Sequence, residues 1–175
     1  SLIKQELNRL SKDGVTFLSS AAILGHEFEL EEVAEIFKIR GYTPQELVNC
    51  NFLQQVKDKH FIFNHDLIRQ GIYQHITEEL KKELHELAST FYKDKDQLKF
   101  TFHLRKAHQV EEALSAINDF AKNLYEKHDY CEALNQVDVA LSLPGKKNLY
   151  SLYYLKGVLL KVLDLPAKAT QYFNL

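Results

Sequence analysis

Histidine offers this sequence its most versatile chemistry near neutral pH, because the imidazole ring both transfers protons and binds metals. The chain has eight histidines. No pair has the His-x3-His or His-Glu-x-x-His spacing that places two ligands on one helix face. His60 and His65 flank a predicted strand-to-helix junction, and His103 and His108 are five residues apart. The histidine pattern therefore predicts no metal site.

Other catalytic groups are not marked by the sequence. Acidic residues lie mostly in polar helical faces, as in the run 78–83, where local ion pairs with lysine are typical of a solvated surface. A Gly-rich phosphate loop ending in Lys-Ser or Lys-Thr is missing. We predict a non-enzymatic chain with no catalytic residue and no cofactor of its own.

His65 is the strongest single candidate for ligand binding. It follows the predicted strand 60–63 and Asn64, a good helix cap, and so falls in the first turn of a predicted helix. Free backbone N–H groups and the helix dipole favour an anion there. The alternative is that His65 only occupies a helix start at which Asp66 favours the dipole.

Composition indicates an ordinary globular protein. Hydrophobic residues make up 45% and charged residues 26%, and the net charge of −2 is spread along the chain, which argues against a polyanion-binding surface. No apolar run approaches the roughly 20 residues of a membrane helix, and the pattern of residues 1–10 predicts an amphipathic helix and not a signal peptide. Cys50 and Cys131 match no metal or redox spacing, so free thiols and a cytoplasmic location are expected.

The two ends of the chain indicate a piece of a longer protein. The chain begins at Ser1 and contains no methionine. Residues 167–175 have a helical pattern without a cap or stop signal. We expect the sequence to end within a structural repeat.

Apolar residues recur at helical spacing through the first 52 residues, and they predict four helices. Thr43 is predicted to cap the fourth, Pro44 suits its first position, and Glu46 would complete a capping box. The markers of the four helices are Ile3, Leu7 and Leu10; Val15, Leu18 and Ala22, up to Gly25; Leu30, Val33, Ala34 and Phe37, up to about Gly41; and residues 43–46, continuing to about Phe52.

A β-hairpin is predicted where residues 53–56 and 60–63 flank the polar turn 57–59. Two helices follow it, marked by Leu67, Ile68, Ile72 and Ile76, and by the apolar stripe Leu80, Leu84, Leu87, Ala88 and Phe91. Three helices, a hairpin and a helix form a winged-helix arrangement with extra helices. The predicted module covers residues 1–93.

The polar stretch 93–96 precedes a second domain, predicted as antiparallel helical hairpins over residues 97–175. An internal repeat is visible there at an offset of 36 residues, which is 34 plus two extra residues near 144–147. Small residues at 121 and 157 would let paired helices approach closely. The aligned pairs are Ala121 with Gly157, Leu124 with Leu160, Tyr130 with Pro166, Ala133 with Ala169, and Val137 with Phe173.

The second half resembles tetratricopeptide repeats, with one full unit at about 114–147 and a truncated one from about 150. The small and aromatic positions match, whereas the usual tryptophan is missing. The resemblance implies a right-handed superhelix whose first helices line a partner-binding groove. The groove positions would be Asn118, Lys122, Tyr125, Tyr154, Val158 and Lys161. The alternative is that these residues only pack against the next repeat.

The whole chain resembles a region of STAND-class signalling ATPases, which include many bacterial transcription activators. The matching segments are 20–25 with Phe28, 63–69 with Ile72 and Tyr73, Leu84 and His85 with Ala88, 102–107, and 112–114. In that class a winged-helix module follows the nucleotide-binding domain and helical repeats follow the module. The resemblance implies that His65, with Asp66 and Arg69, senses the phosphate of ADP bound to the parent protein.

DNA binding is the other function that a winged helix implies. The helix predicted over 44–52 would enter the major groove, but it contains Glu46 and no Lys or Arg. Gln45, Asn49 and Asn51 could read bases, whereas only Lys57 and Lys59 are near to hold phosphates. Direct nucleic-acid binding is therefore disfavoured.

We predict a mainly α-helical, non-catalytic regulatory and protein-interaction segment of a larger nucleotide-dependent signalling protein, a transcriptional regulator. ATP or ADP would bind only in the parent. The partner would be a protein, a peptide or the upstream nucleotide-binding domain, with no membrane involved. The alternative is a stand-alone tetratricopeptide scaffold or adaptor that binds a peptide or protein.

Overall fold

The structure is a computed structural model that describes residues 2–144, 149–165, 168 and 171–172. The chain divides into two compact units, Ser1–Lys93 and Asp94–Leu175. It is mainly helical, with a small three-stranded antiparallel sheet in the first unit. The predicted fold class is thus confirmed.

The first unit contains six described helices and three strands in the order helix, helix, strand, helix, helix, strand, strand, helix, helix. Their bounds are α1 Leu2–Leu7, α2 Lys12–Leu24, β1 Glu27–Glu29, α3 Leu30–Phe37, α4 Gln45–Asn49, β2 Leu53–Lys57, β3 His60–Phe63, α5 Asp66–His75 and α6 Glu78–Tyr92.

The sheet has the order β1-β3-β2, so β3 lies in the middle. Alternation along β3 places Phe61 and Phe63 on one face, and both are buried with Phe28, which lies opposite Phe61 on β1. The ring of Phe28 lies 6.2 Å from that of Phe61 and 6.1 Å from that of Phe17 on α2. This aromatic cluster is the centre of the core of the first unit.

Strand β1 was not expected from the sequence. Its three residues, Glu27–Glu29, alternate exposed, buried, exposed, but the segment is too short to give a pattern. It becomes a strand because β3 supplies its hydrogen bonds. The hairpin was predicted correctly, except that Lys57 belongs to β2 and the turn comprises only Asp58 and Lys59.

The start of α4 was predicted wrongly. Pro44, not Thr43, is the N-cap, and Glu46 forms no capping box. The Glu46 carboxylate instead accepts hydrogen bonds from the Ser11 amide at 2.7 Å, the Ser11 hydroxyl at 2.6 Å and the Tyr42 hydroxyl at 3.2 Å. Since Ser11 is the N-cap of α2, this carboxylate links α4 to the start of α2.

These bonds change the pKa of both partners. The hydrogen bonds from Ser11, followed by that from Tyr42, lower the pKa of Glu46 below its usual range. Burial, followed by the bond to Glu46, raises the pKa of Tyr42 above its ordinary value. A Cβ on Gly14 would lie 2.5 Å from Glu46 Oε2, so the absence of a side chain at residue 14 leaves room for the carboxylate.

Three further boundaries and faces differ from the prediction. Helix α3 ends with Lys38 in the left-handed conformation, before Gly41. Asn64 does not cap α5, because its amide donates to the Asn51 carbonyl at 2.7 Å. On α6 the predicted stripe is partly wrong: Leu80 and Leu87 are exposed. The buried residues of that helix are Leu84, His85, Ala88, Ser89 and Tyr92.

The second unit contains the described helices α7 Gln97–Lys106, α8 Val110–Glu126, α9 Tyr130–Leu141 and α10 Tyr150–Val162. The small residues Ala121 on α8, Ala133 and Ala140 on α9, and Gly157 on α10 are all buried. Larger side chains such as Ile117, Val137 and Leu159 fill the core of α8, α9 and α10. Pro166, Ala169 and Phe173 of the predicted repeat, and segment 145–148, lie outside the described residues.

Every helix in the described part of the chain is too short or too polar to cross a membrane.

The Glu46 contacts predict a stability change that depends on pH. Glu46→Gln should lower the melting temperature at pH 7, because an amide presents an N–H₂ group to one of the three donors. Folding lowers the pKa of Glu46. The stability that the Glu46 carboxylate adds is therefore fully present at pH values above the ordinary pKa of glutamate, and it is lost as the pH falls through the lowered pKa. The difference in melting temperature from wild type should therefore shrink in acid.

Thermal unfolding followed by circular dichroism at pH 7 and at about pH 3 measures this difference. Glu83→Gln, on the exposed surface of α6, is the matched control and should leave the melting temperature unchanged at pH 7. A Glu46→Gln protein as stable as wild type at pH 7 would contradict the role of the carboxylate.

Because small residues are buried between the helices of the second unit, we expect a larger side chain at such a position to destabilise the chain. Ala121→Leu should destabilise the chain by about 1–3 kcal/mol, because Ala121 is fully buried between packed helices. Asn123→Leu, at an exposed position of the same helix, should change stability by less than about 0.5 kcal/mol. Urea unfolding of both variants provides the comparison, and equal stability would rule out close packing at residue 121.

Candidate functional site

The start of α5 carries the predicted anion sensor. His65 is the N-cap residue, with an extended backbone at φ −145° and ψ 140°, so it precedes the first turn instead of lying within it. The imidazole is exposed and makes no capping hydrogen bond to the first-turn amides. The His65 side chain is therefore accessible at the positive end of the helix dipole.

Asp66 and Arg69 contact each other but have no direct hydrogen bond to His65 among the described contacts. The Asp66 carboxylate accepts from Arg69 Nε at 2.7 Å and from Gln70, and the Arg69 bond is the main cause that lowers the pKa of Asp66. Arg69 Nη1 also donates to the Ala22 carbonyl of α2 at 3.4 Å. Arg69 thus compensates the charge of Asp66 and anchors α5.

His26 belongs to this cluster, although the sequence did not indicate it. Its Nδ1 lies 4.0 Å from Asp66 Oδ1, and its carbonyl accepts a hydrogen bond from the Phe63 amide at 2.9 Å. His26 immediately precedes β1, so the pairing of β1 with β3 brings it to the start of α5. No short-range signal could have shown this, because the two segments are far apart in sequence.

The predicted groove positions lie on α8 and α10. The Ser151 hydroxyl of α10 donates to Asn118 Oδ1 of α8 at 3.1 Å, which joins the two helices directly. Lys122 and Lys161 are exposed, whereas Tyr125 and Val158 are half-buried. Tyr125 packs on the core and against the ring of Tyr130, 5.5 Å away.

An exposed pair of tyrosines forms the most prominent part of this surface. Tyr154 is 55% exposed and its ring stacks on Tyr150, which is 72% exposed, at 6.4 Å between centroids. Tyr150 was not predicted, although its spacing of four residues from Tyr154 on a helix was a usable signal. Large exposed aromatic side chains are enriched in protein interfaces.

A neighbouring ion pair fixes the rotation of α10. Lys156 Nζ lies 2.7 Å from Asp138 Oδ1 on α9 and 4.5 Å from the centre of the Tyr172 ring. Burial opposes the charge of Lys156, but the hydrogen bonds to Asp138 and Tyr172 outweigh it and raise its pKa. Because Lys156 faces α9, the side chains at 150 and 154 are directed away from that contact.

The candidate DNA-reading helix is only five residues long, Gln45–Asn49. Gln45 Nε2 donates to Asn49 Oδ1 at 2.9 Å, so two of the three side chains that could read bases bind each other, and the third, Asn51, lies beyond the end of the helix. Lys59 Nζ lies 2.6 Å from Glu31 Oε1, which compensates one of the two hairpin cations. In the described part of the chain, no three His, Cys, Asp or Glu side chains are grouped so that they could hold a metal.

No protein-family model matches the chain, and no curated protein matches it. Among solved structures, the chain is similar to a Signal Transduction ATPase with Numerous Domains (STAND) protein with a tetratricopeptide repeat sensor from Pyrococcus horikoshii. The identity is 14% and the TM-score is 0.48. The match covers 96% of this chain and 32% of the other, so this chain spans about a third of that protein.

The geometry at α5 predicts that His65 contributes little to stability. His65→Ala should change the free energy of unfolding by less than about 0.5 kcal/mol, since the side chain is exposed and caps nothing. Thr77→Ala is the matched control at another N-cap. The Thr77 hydroxyl accepts from the Leu80 amide at 3.3 Å, and its loss should cost about 1 kcal/mol.

Urea unfolding at pH 7 compares the two N-cap variants. A loss for His65→Ala as large as that for Thr77→Ala would assign His65 a structural role and remove it as a ligand-binding candidate.

Proposed function

We propose that the chain is a non-catalytic regulatory and protein-interaction segment of a larger nucleotide-dependent signalling protein, a regulator of transcription. The observation that carries this proposal is the exposed His65 at the start of α5, whose side chain makes no capping hydrogen bond to that helix. A side chain kept free at the positive end of a helix is suited to a phosphate. His65 would read the nucleotide state of the parent, with ADP or ATP bound in an upstream domain.

The order of elements supports a winged-helix assignment for residues 1–93. Strand β1 between α2 and α3 joins the hairpin β2–β3 in the sheet order β1-β3-β2. In this arrangement the hairpin leads directly into α5, so the sheet positions His65. Arg69 is paired with the Asp66 carboxylate, which reduces the repulsion that this carboxylate would exert on a phosphate.

The face of α8 and α10 would serve as the partner-binding surface of residues 97–175. Tyr150 and Tyr154 supply exposed aromatic area, and Asn118, Lys122 and Lys161 supply polar groups at its rim. Binding of a protein or peptide there would shift the parent between closed and open states. A cytoplasmic location accords with this role.

A stand-alone scaffold is the alternative, since the same α8 and α10 surface would serve it without any nucleotide. The full reading frame distinguishes the two: a Gly-rich phosphate loop before this segment favours the signalling protein. DNA binding is disfavoured by the pairing of Gln45 with Asn49.

The nucleotide-sensing role predicts a specific effect of His65→Ala in the full-length protein. Loss of one hydrogen bond to the ADP phosphate should weaken ADP binding by about 1–3 kcal/mol. The closed state should lose the same free energy, so that output without inducer rises. Calorimetric titration with ADP and a transcription assay without inducer are the two measurements.

His75→Ala is the control, because that imidazole lies at the other end of α5, where its Nδ1 is bonded to the Gly71 carbonyl. It should leave both ADP affinity and output unchanged. Unchanged ADP affinity and silent basal output in the His65 variant would reduce His65 to a surface histidine and leave the scaffold alternative.

A further inference from the structure

Helix α7 carries a charge pattern that the proposed function does not use. Between Asp96, its N-cap, and Glu111 the chain has no acidic residue, whereas Lys99, Arg105 and Lys106 are cationic. Residues 97–110 are therefore a local positive segment in a chain with a net charge of −2.

Apolar side chains lie among these cations. Leu98 is 52% exposed and Phe102 is 37% exposed. Their spacing of four residues places them on one face of α7, and Lys106 continues the same row. The guanidinium carbon of Arg105 and the Nζ of Lys106 each lie 5.8 Å from the centre of the Phe102 ring. We call Leu98, Phe102, Arg105 and Lys106 the α7 patch.

Arg105 has no counter-charge among the described residues. Its side chain is half-buried, and it forms no ion pair or hydrogen bond within the described part of the chain. Its Nε is buried without a partner, as is Gln109 Oε1, and burial lowers the pKa of the guanidinium. A half-buried cation without a counter-charge carries a desolvation cost, and a carboxylate supplied by a partner would relieve that cost.

The geometry of Arg105 also favours a carboxylate ligand. When a guanidinium lies over an aromatic ring, the Nη groups stay at the outer edge of the guanidinium. The spacing of these two donors matches the two oxygens of a carboxylate. Stabilisation of the α7 C-terminus by cations explains basic residues in its last turn. It does not explain why two large apolar side chains stay exposed next to them.

We propose that the α7 patch is a docking surface for an acidic protein segment that carries an apolar side chain beside its carboxylates. The carboxylates bind Arg105 and Lys106, and the apolar side chain packs against Leu98 and Phe102. Charge complementarity selects this occupant. Exposed apolar side chains that cover much of the patch favour a protein over a nucleic acid, whose binding rests on several phosphate contacts.

The test uses the 175-residue chain and a fluorescein-labelled peptide, Gly-Gly-Glu-Glu-Leu-Phe-Glu-Glu-Gly-Gly. The matched peptide replaces all four glutamates with glutamine. We expect fluorescence anisotropy to show binding of the first peptide that weakens as ionic strength rises, and at least tenfold weaker binding of the second.

Variants of the chain locate the site. Lys106→Gln should weaken binding roughly two- to fivefold, as expected for an exposed ion pair, and Arg105→Gln should weaken it more. Arg105→Lys keeps the charge but lacks the paired donors, so its affinity should lie between that of wild type and that of Arg105→Gln. Lys82→Gln is the control: this exposed lysine of α6 lies 3.9 Å from Glu86 and belongs to neither proposed surface, so its loss should have no effect.

Thermal melts of each variant check folding, and Lys106→Gln, at an exposed position, provides a reading even if the Arg105 variants unfold. Equal binding of the two peptides, no binding at up to about 1 mM protein, or an equal loss from Lys82→Gln and Lys106→Gln would overturn the proposal. Binding to phosphatidylserine vesicles, with no peptide binding, would overturn it in favour of a lipid surface.

Discussion

The pairing of β1 with β3 is the constraint on which the first unit depends. Three residues of β1 bury one side chain, Phe28, among Phe17, Phe61 and Phe63. That contact joins α2, the hairpin and the following helix α3 around one aromatic core. The same pairing brings the His26 carbonyl to the Phe63 amide, and so brings His26 to the start of α5. A change in the register of β1 would alter both the core and the candidate sensor.

Carboxylates accept several hydrogen bonds in parts of the first unit that lie outside the aromatic core. Glu46 links α4 to the N-cap of α2, and Asp66 is shared by Arg69 and Gln70 at the start of α5. Both accept several hydrogen bonds, which is why both have a lowered pKa. His65, which has no such role, remains exposed. A candidate functional side chain is easiest to recognise where the neighbouring side chains already have hydrogen-bond partners within the fold.

The second unit depends on small residues. Buried alanines and Gly157 let α8, α9 and α10 approach closely. Tyr150 and Tyr154 form one exposed surface on α10, and the α7 patch forms another within the same unit. The first is aromatic with polar groups at its rim, and the second is aromatic and cationic. The two surfaces would therefore select different partners.

Local sequence determined the class of the fold, the positions of most helices and the hairpin, because apolar spacing and turn residues act over a few positions. It also marked Ala121 and Gly157, since their small size repeats at a fixed interval. The tertiary structure alone decided that Glu27–Glu29 is a strand and that Glu46 binds Ser11 instead of capping its own helix. It also decided that the buried face of α6 includes His85 and excludes Leu80 and Leu87. In each of these cases the contacting residue lies on another helix or strand. Secondary-structure propensity carries no information about which distant group will supply a hydrogen bond or cover a side chain.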